Sequence, residues 1–218
     1  MGIRILLADD HKLLREGLRA LIEEQRNMTV VAEAEDGRSA VRLAAKLSPD
    51  IIVMDISMPG LNGIDATRRI TAESPGIKVI ALSMHADRNF VVEMFKAGAA
   101  GYLLKDCAFE ELIQAIRAVS SKKAYLSSKL SDTMIKDYVN LFPKKKNLSV
   151  FSALTTRERE VLQLMAEGKS TREVAAKLNV STKTVETFRR LIMKKLDIHN
   201  VAELTKYAIR AGLTSLDA

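Results

Sequence analysis

Five residues able to do chemistry stand far apart in this chain, each just past an apolar run. Asp9 and Asp10 follow Ile5-Leu6-Leu7-Ala8, and Asp55 follows Ile51-Ile52-Val53-Met54. Ser83 follows Val79-Ile80-Ala81-Leu82, and Lys105 follows Tyr102-Leu103-Leu104. Short unbroken apolar runs read as strands of a parallel sheet buried on both faces. In an open sheet of that kind, ligands bind outside the carboxyl ends of the strands. Three carboxylates, a hydroxyl and an ammonium would then meet at one edge. Any one of them alone is an ordinary turn or cap residue; five so placed together suggest a site. Clustered carboxylates repel unless a cation or a proton intervenes. An oxygen donor set suits Mg²⁺, which keeps waters and favours phosphate oxygens. A carboxylate is also a nucleophile that can form an aspartyl phosphate. Phosphoryl transfer asks mainly for positioning and for neutralised oxygens. Mg²⁺ and Lys105 would supply the charge, and Ser83 would hydrogen-bond one phosphoryl oxygen.

Other chemistry finds little support. No G-x-G-x-x-G follows the first strand and there is no Walker A motif, which counts against a dehydrogenase or an NTPase. His11, His85 and His199 are scattered without zinc spacing, so no metal site is read into them. The single cysteine, Cys107, excludes an internal disulfide framework and fits a reducing cytoplasm. No apolar run approaches the length of a membrane span, so no membrane partner is expected.

The elements that must position these residues alternate through residues 1–120. Strands are predicted at 3–8, from Val30, at 51–55, 79–82 and 102–104. Helices are predicted at 13–22, 39–47, 64–72, 89–97 and 109–119. Five such βα units imply an α/β doubly wound five-stranded parallel sheet, with the order 2-1-3-4-5 chosen among doubly wound options. Pro59-Gly60 turns the chain immediately after the Asp55 strand. Residues 122–149 read as a linker with a possible helix at 132–141 and a basic run, Lys144-Lys145-Lys146.

From residue 150 the pattern becomes all-α. Thr155 with Glu158 resembles a capping box. Ser170 or Thr171 caps a second helix, and Asn179-Val180-Ser181 makes a tight turn into a third that runs to about Leu196. Two helices joined by such a turn form a helix-turn-helix. On the third, Val185, Ile192 and Leu196 share one face with Phe188 on its flank, while Lys183, Thr187, Arg190 and Lys194 share the opposite face. That outward row can reach base edges and phosphates. The charge agrees with it. Residues 1–120 carry net −2 and residues 121–218 net +9, so the second half is the candidate for a polyanion.

Two resemblances follow. Leu7-Ala8-Asp9-Asp10-His11, Val53 to Gly60, Leu82-Ser83-Met84 and Gly101 to Asp106 resemble the receiver domain of two-component response regulators. The resemblance implies that Asp55 is the phosphoacceptor for a sensor histidine kinase. It implies that Asp10, Asp55, the backbone carbonyl of Ser57 and, through water, Asp9 hold Mg²⁺. It makes Ser83 and Tyr102 a switch pair, in which the hydroxyl is drawn to the phosphate and the ring turns inward. Many receivers follow the lysine with proline; here Asp106 follows Lys105.

Leu154-Thr155-x-Arg157-Glu158, Glu167-Gly168-Lys169-Ser170, Val174-Ala175-x-x-Leu178 and Ser181-x-Lys183-Thr184-Val185-Glu186 resemble the LuxR-type helix-turn-helix domain. Joined to a receiver, this is similar to the NarL/FixJ subfamily of transcription regulators. Lys183, Thr184, Glu186, Thr187, Arg190 and Lys194 would then meet double-stranded DNA, with Glu186 placed either to accept from a cytosine amino group or to repel phosphate. A last helix at about 201–211 would pair two copies into a homodimer on DNA or after phosphorylation. The expected domains are a receiver over 1–121 and the DNA-binding domain over 150–218. The rival reading, a phosphotransfer enzyme acting on a small substrate, lacks a second acid or base and leaves the helix-turn-helix idle. The chain is therefore read as a cytoplasmic regulator and not as an enzyme.

Overall fold

The computed structural model describes residues 2–84, 86–107, 109–130 and 153–214. Strands and helices alternate through the first part: β1 (Ile3–Ala8), α1 (Lys12–Glu23), β2 (Met28–Ala34), α2 (Gly37–Leu47), β3 (Ile51–Asp55), α3 (Gly63–Glu73), β4 (Lys78–Ser83), α4 (Arg88–Lys96), β5 (Gly101–Leu104), α5 (Phe109–Ser120) and β6 (Tyr125–Leu126). Among the residues described from 153 on lie the helices α6 (Thr156–Ala166), α7 (Thr171–Leu178), α8 (Thr182–Leu196) and α9 (Val201–Arg210). The chain forms two compact units, β1–β6 with α1–α5 and then α6–α9. The helix predicted at 132–141 and the lysine run at 144–146 lie outside the described residues.

The sheet order is β2-β1-β3-β4-β5-β6, with every neighbouring pair parallel. The first five strands take the expected order. The expectation of five strands is corrected to six, because Tyr125-Leu126, read as linker, pairs with β5. Tyr125 N donates to Ala100 O at 3.0 Å and Ser127 N to Tyr102 O at 3.1 Å. Without it β5 would present an open edge of unpaired backbone groups. Two residues are too few to show an alternating pattern, which hid the strand in the sequence.

Every residue of β3 is buried, as a strand covered on both faces requires. On one face Ile5, Leu7, Ile51, Val53, Ile80, Leu82 and Leu103 pack with Ile22 of α1 and with Leu112, Ile113, Ile116 and Val119 of α5. The alternate residues Leu6, Ala8, Ile52, Met54, Val79 and Ala81 point the other way and are buried too. There α2, α3 and α4 lie side by side.

The second unit closes on its own core, in which Val161, Leu162, Val174, Leu178, Val185, Ile192 and Leu204 are buried and Phe188 and Leu196 are packed at the margin. Thr155 and Ser170 each form a complete capping box, with Glu158 and Glu173. Asn179 ends α7 in the left-handed region (φ 54°), which Asn tolerates better than most residues. Ser181 then caps α8 by accepting from Thr184 N.

Candidate functional site

Strand register builds the first site. Ala8 of β1 lies beside Met54 of β3, so Asp9 and Asp55, one residue on, end together. Asp55 is level with Leu82, and Ser83 is level with Leu104. Lys105 N donates to Ser83 O at 2.8 Å, which holds the last two chain ends at one height.

Lys105 Nζ lies 2.8 Å from Asp55 Oδ2 and 2.8 Å from Asp9 Oδ2. Asp55 Oδ1 accepts from Ser57 N at 3.3 Å, and Asp9 Oδ1 from His11 N at 2.9 Å. Asp9 and Asp55 are both buried. Burial raises the Asp55 carboxyl above the ordinary range; Lys105 opposes this and Asp9 adds to it. Burial works against the Lys105 ammonium too, but Asp55 and Asp9 hold it above its ordinary value. One ammonium among three carboxylates leaves the pocket short of positive charge.

Asp10 shows where that charge belongs. Its Oδ1 is buried and accepts no hydrogen bond among the described residues, although His11 Nδ1 stands 2.8 Å away. One donor atom from each of Asp9, Asp10, His11 and Asp55 lies within 4.8 Å of the others. An orphaned carboxylate oxygen beside two further acids fits a small, hard divalent cation with waters in its shell. His11, read in the sequence as one of three scattered histidines, borders this group of acids. Its ring touches two of the acids, although its side chain is 67% exposed.

Ser83 and Tyr102 meet beside the pocket. Tyr102 is fully buried and hydrogen-bonded to Ser83. Burial raises its phenol far above the ordinary value, and Ser83 offsets part of that. The ring that was expected to turn inward is already inside in this structure.

Two residues that shape the pocket were not singled out in the sequence. Gly63 opens α3 so close to β3 that a Cβ there would lie 2.0 Å from Asp55 O. Its N donates to Ile56 O at 2.8 Å. The only hint was a glycine at a helix start. Arg15 is buried, with its guanidinium on the Asp9 carbonyl; in the sequence it is one charge on a helix.

A second candidate surface lies on α8. Lys183, Thr187, Arg190 and Lys194 are exposed, as is Glu186 beside them, opposite the buried Val185 and Ile192. Thr184 is half-buried and its hydroxyl lies 2.8 Å from Ser181 Oγ, which places it in the N-terminal cap. One tie holds this helix to α6, and a second holds α6 to the end of α7. Lys195 Nζ reaches Glu158 Oε2 at 2.7 Å, and Arg157 donates to Leu178 O at 2.5 Å, just before the turn. Burial opposes the Glu158 charge, but Lys195 and Thr155 hold its carboxyl below the ordinary range.

Residues 5–117 match the response regulator receiver domain, and residues 152–208 match the bacterial regulatory proteins of the luxR family. The chain belongs to the response-regulator family. Response regulator UvrY of Escherichia coli (strain K12) is 37% identical over 215 residues, 99% of this chain and 97% of that protein. Transcriptional regulatory protein LiaR of Bacillus subtilis (strain 168) is 40% identical over 213 residues, 98% of this chain and 100% of that one. Among solved structures, RcsB from Salmonella enterica serovar Typhimurium, bound to promoter rprA with the phosphomimetic BeF3⁻, is 27% identical. It covers 95% of this chain and 98% of its own, with a TM-score of 0.63. This response regulator therefore joins a receiver to a LuxR-type DNA-binding domain, as two-component transcription regulators do. The receiver's acidic cluster is consistent with a divalent-metal site. No described helix is long and apolar enough to cross a membrane.

Proposed function

We propose that Asp55 accepts a phosphoryl group from a sensor histidine kinase and that this event controls DNA binding through α8. One observation carries the reading: the Asp55 carboxylate ends a buried strand, 2.8 Å from Lys105, within a group of acids that includes the orphaned Asp10 oxygen. Asp10, Asp55 and the Ser57 carbonyl would hold Mg²⁺, with Asp9 acting through water. The bound cation would neutralise phosphoryl oxygens.

The protein groups do the rest. An Asp55 carboxylate oxygen attacks phosphorus as the phosphorus–nitrogen bond of phosphohistidine breaks. The imidazole leaves with the electron pair and takes a proton from solvent. Lys105 pairs with one phosphoryl oxygen, and the Ser83 hydroxyl donates to another. Drawing Ser83 to the phosphate favours the inward Tyr102 ring already seen. Such a modification shifts an equilibrium only by its different stabilisation of the two states.

We assign residues 1–121 to the receiver, 122–149 to the connecting segment and 150–218 to DNA binding, with the sheet itself reaching Leu126. Lys183, Thr187, Arg190 and Lys194 would face double-stranded DNA, with Glu186 and Thr184 at the edge of the contact. The regulator would work in the cytoplasm as a homodimer when phosphorylated or on DNA. The promoter-bound RcsB relative supports the DNA-binding part of the reading.

Incubation with acetyl phosphate or phosphoramidate and Mg²⁺ should add one phosphoryl mass to the intact protein. EDTA or Asp55→Asn should abolish the gain. A gain that survives either change refutes the assignment.

A further inference from the structure

We propose that Arg15 is a positioning residue for the cation: it clamps the turn carrying Asp9 and Asp10 and so sets how tightly the pocket holds Mg²⁺. This rests on the reading that these acids, with Asp55, bind a divalent cation.

The turn needs fastening from elsewhere. His11, the N-cap of α1, makes no side-chain capping bond, and the first turn of the helix has no acidic residue. Arg15 sits one turn in. Its Nη1 donates to Asp9 O at 2.5 Å, and its Nε donates to Glu33 Oε2, on β2, at 3.1 Å. Only 11% of its side chain is exposed. The fork of a guanidinium allows both bonds from one rigid plane.

The Asp9 carbonyl belongs to the planar peptide that leads into Asp10. Holding that oxygen fixes the plane from which the Asp10 side chain departs. The other polar groups of Asp9 are engaged as well. Its N donates to Ala34 O at 3.1 Å, Oδ1 accepts from His11 N at 2.9 Å, and Oδ2 lies 2.8 Å from Lys105 Nζ. Asp9 is thus a fixed post, and Asp10 keeps the orphaned oxygen.

Charge poses an objection, since a guanidinium beside a cation site should repel the cation. Glu33 answers it. Glu33 Oε1 also accepts from Arg19 Nη1 at 2.9 Å, and Arg19 pairs with Glu23 at 3.1 Å. Two arginines and two glutamates make a neutral set. Burial works against the Glu33 charge, yet Arg19 and Arg15 hold its carboxyl below the ordinary range. What reaches Asp9 is a directed hydrogen bond with its charge compensated.

The test is calorimetric titration of full-length protein with Mg²⁺, paired with acetyl phosphate labelling across Mg²⁺ concentrations. Arg15→Met should raise the Mg²⁺ dissociation constant about tenfold, the equivalent of one net hydrogen bond. Arg15→Lys should recover part of this, because one ammonium reaches the carbonyl or Glu33 but not both in the same geometry. Arg19→Gln, which leaves the Arg15 bonds in place, should stay within about twofold of wild type. In labelling, half-saturation by Mg²⁺ should rise with the dissociation constant while the rate at saturation is retained. A folded Arg15→Met that binds Mg²⁺ like wild type overturns the clamp. So does a fall in saturated rate with unchanged half-saturation. Should Arg15→Met not fold, Glu33→Gln decides, since it frees the Arg15 head; unchanged Mg²⁺ affinity there overturns the proposal. A wild type that binds no Mg²⁺ overturns the underlying reading and the clamp with it, whereas binding by the wild type and equal binding by the variants overturns the clamp alone.

Discussion

Replacing Gly63 with alanine adds one methyl group at a very close approach to Asp55, the proposed acceptor. Its Cβ would lie 2.0 Å from Asp55 O and 2.9 Å from both Asp55 C and Ile56 Cα. Ordinary contact begins near 3.4 Å, so α3 and the end of β3 must separate by about 1.4 Å. All three atoms are backbone, so no side chain can rotate out of the way. The 2.8 Å bond from Gly63 N to Ile56 O joins the same segments and would have to stretch. Overpacking of this kind costs about 1–3 kcal/mol, which lowers the melting temperature by on the order of 5–10 °C. The larger effect should be on chemistry, because the displaced residue is the proposed acceptor. A misplacement of about 1 Å can cost about 100-fold in rate. Gly63→Ala should therefore fold yet take phosphoryl from acetyl phosphate roughly 30- to 100-fold more slowly at saturating Mg²⁺, followed by intact mass. Wild-type labelling with an unshifted melt would refute the close approach and its link to the acceptor.

Two other predictions concern the second unit. Lys183→Ala with Lys194→Ala should weaken binding to all DNA sequences, and the slope of log affinity against log salt should fall by about 1.8, about 0.9 per lost phosphate contact. An unchanged slope in filter-binding or anisotropy titrations would remove α8 from the DNA. Glu158, held below the ordinary carboxylate range by Lys195 and Thr155 against the effect of burial, contributes stability that is present above about pH 4 and is lost as pH falls through its depressed folded value. A carbon-13 NMR titration of the full chain should place its midpoint below that of a free glutamate side chain, and a midpoint at or above that value would contradict the pairing.

The sequence made the pocket legible because its members end apolar runs. Asp9, Asp10, Asp55, Ser83 and Lys105 are marked by their place after strands, and parallel topology carries all strand ends to one edge. The outward row of α8 was legible for a similar reason, since helical period separates Lys183, Thr187, Arg190 and Lys194 from Val185 and Ile192. Periodicity records which side a residue faces. It does not record how near two segments come. That is why Gly63 read only as a helix entry, and why β6, two residues long, read as linker.

Arg15 was hidden for a further reason. Its partners are the Asp9 carbonyl and Glu33, the first a backbone atom with no residue-type signature and the second on a neighbouring strand. A charged residue in the first turns of an amphipathic helix is usually a solvated one, so side-chain type alone points outward. The fold reverses that because β1 and β2 run parallel and level, with Ala8 beside Ala34. Glu33 is therefore delivered to the height of the Asp9 turn, where a buried guanidinium needs a counter-charge. The acids of the pocket are specified by where strands end, whereas their geometry is set by a pairing that exists only once β2 lies against β1.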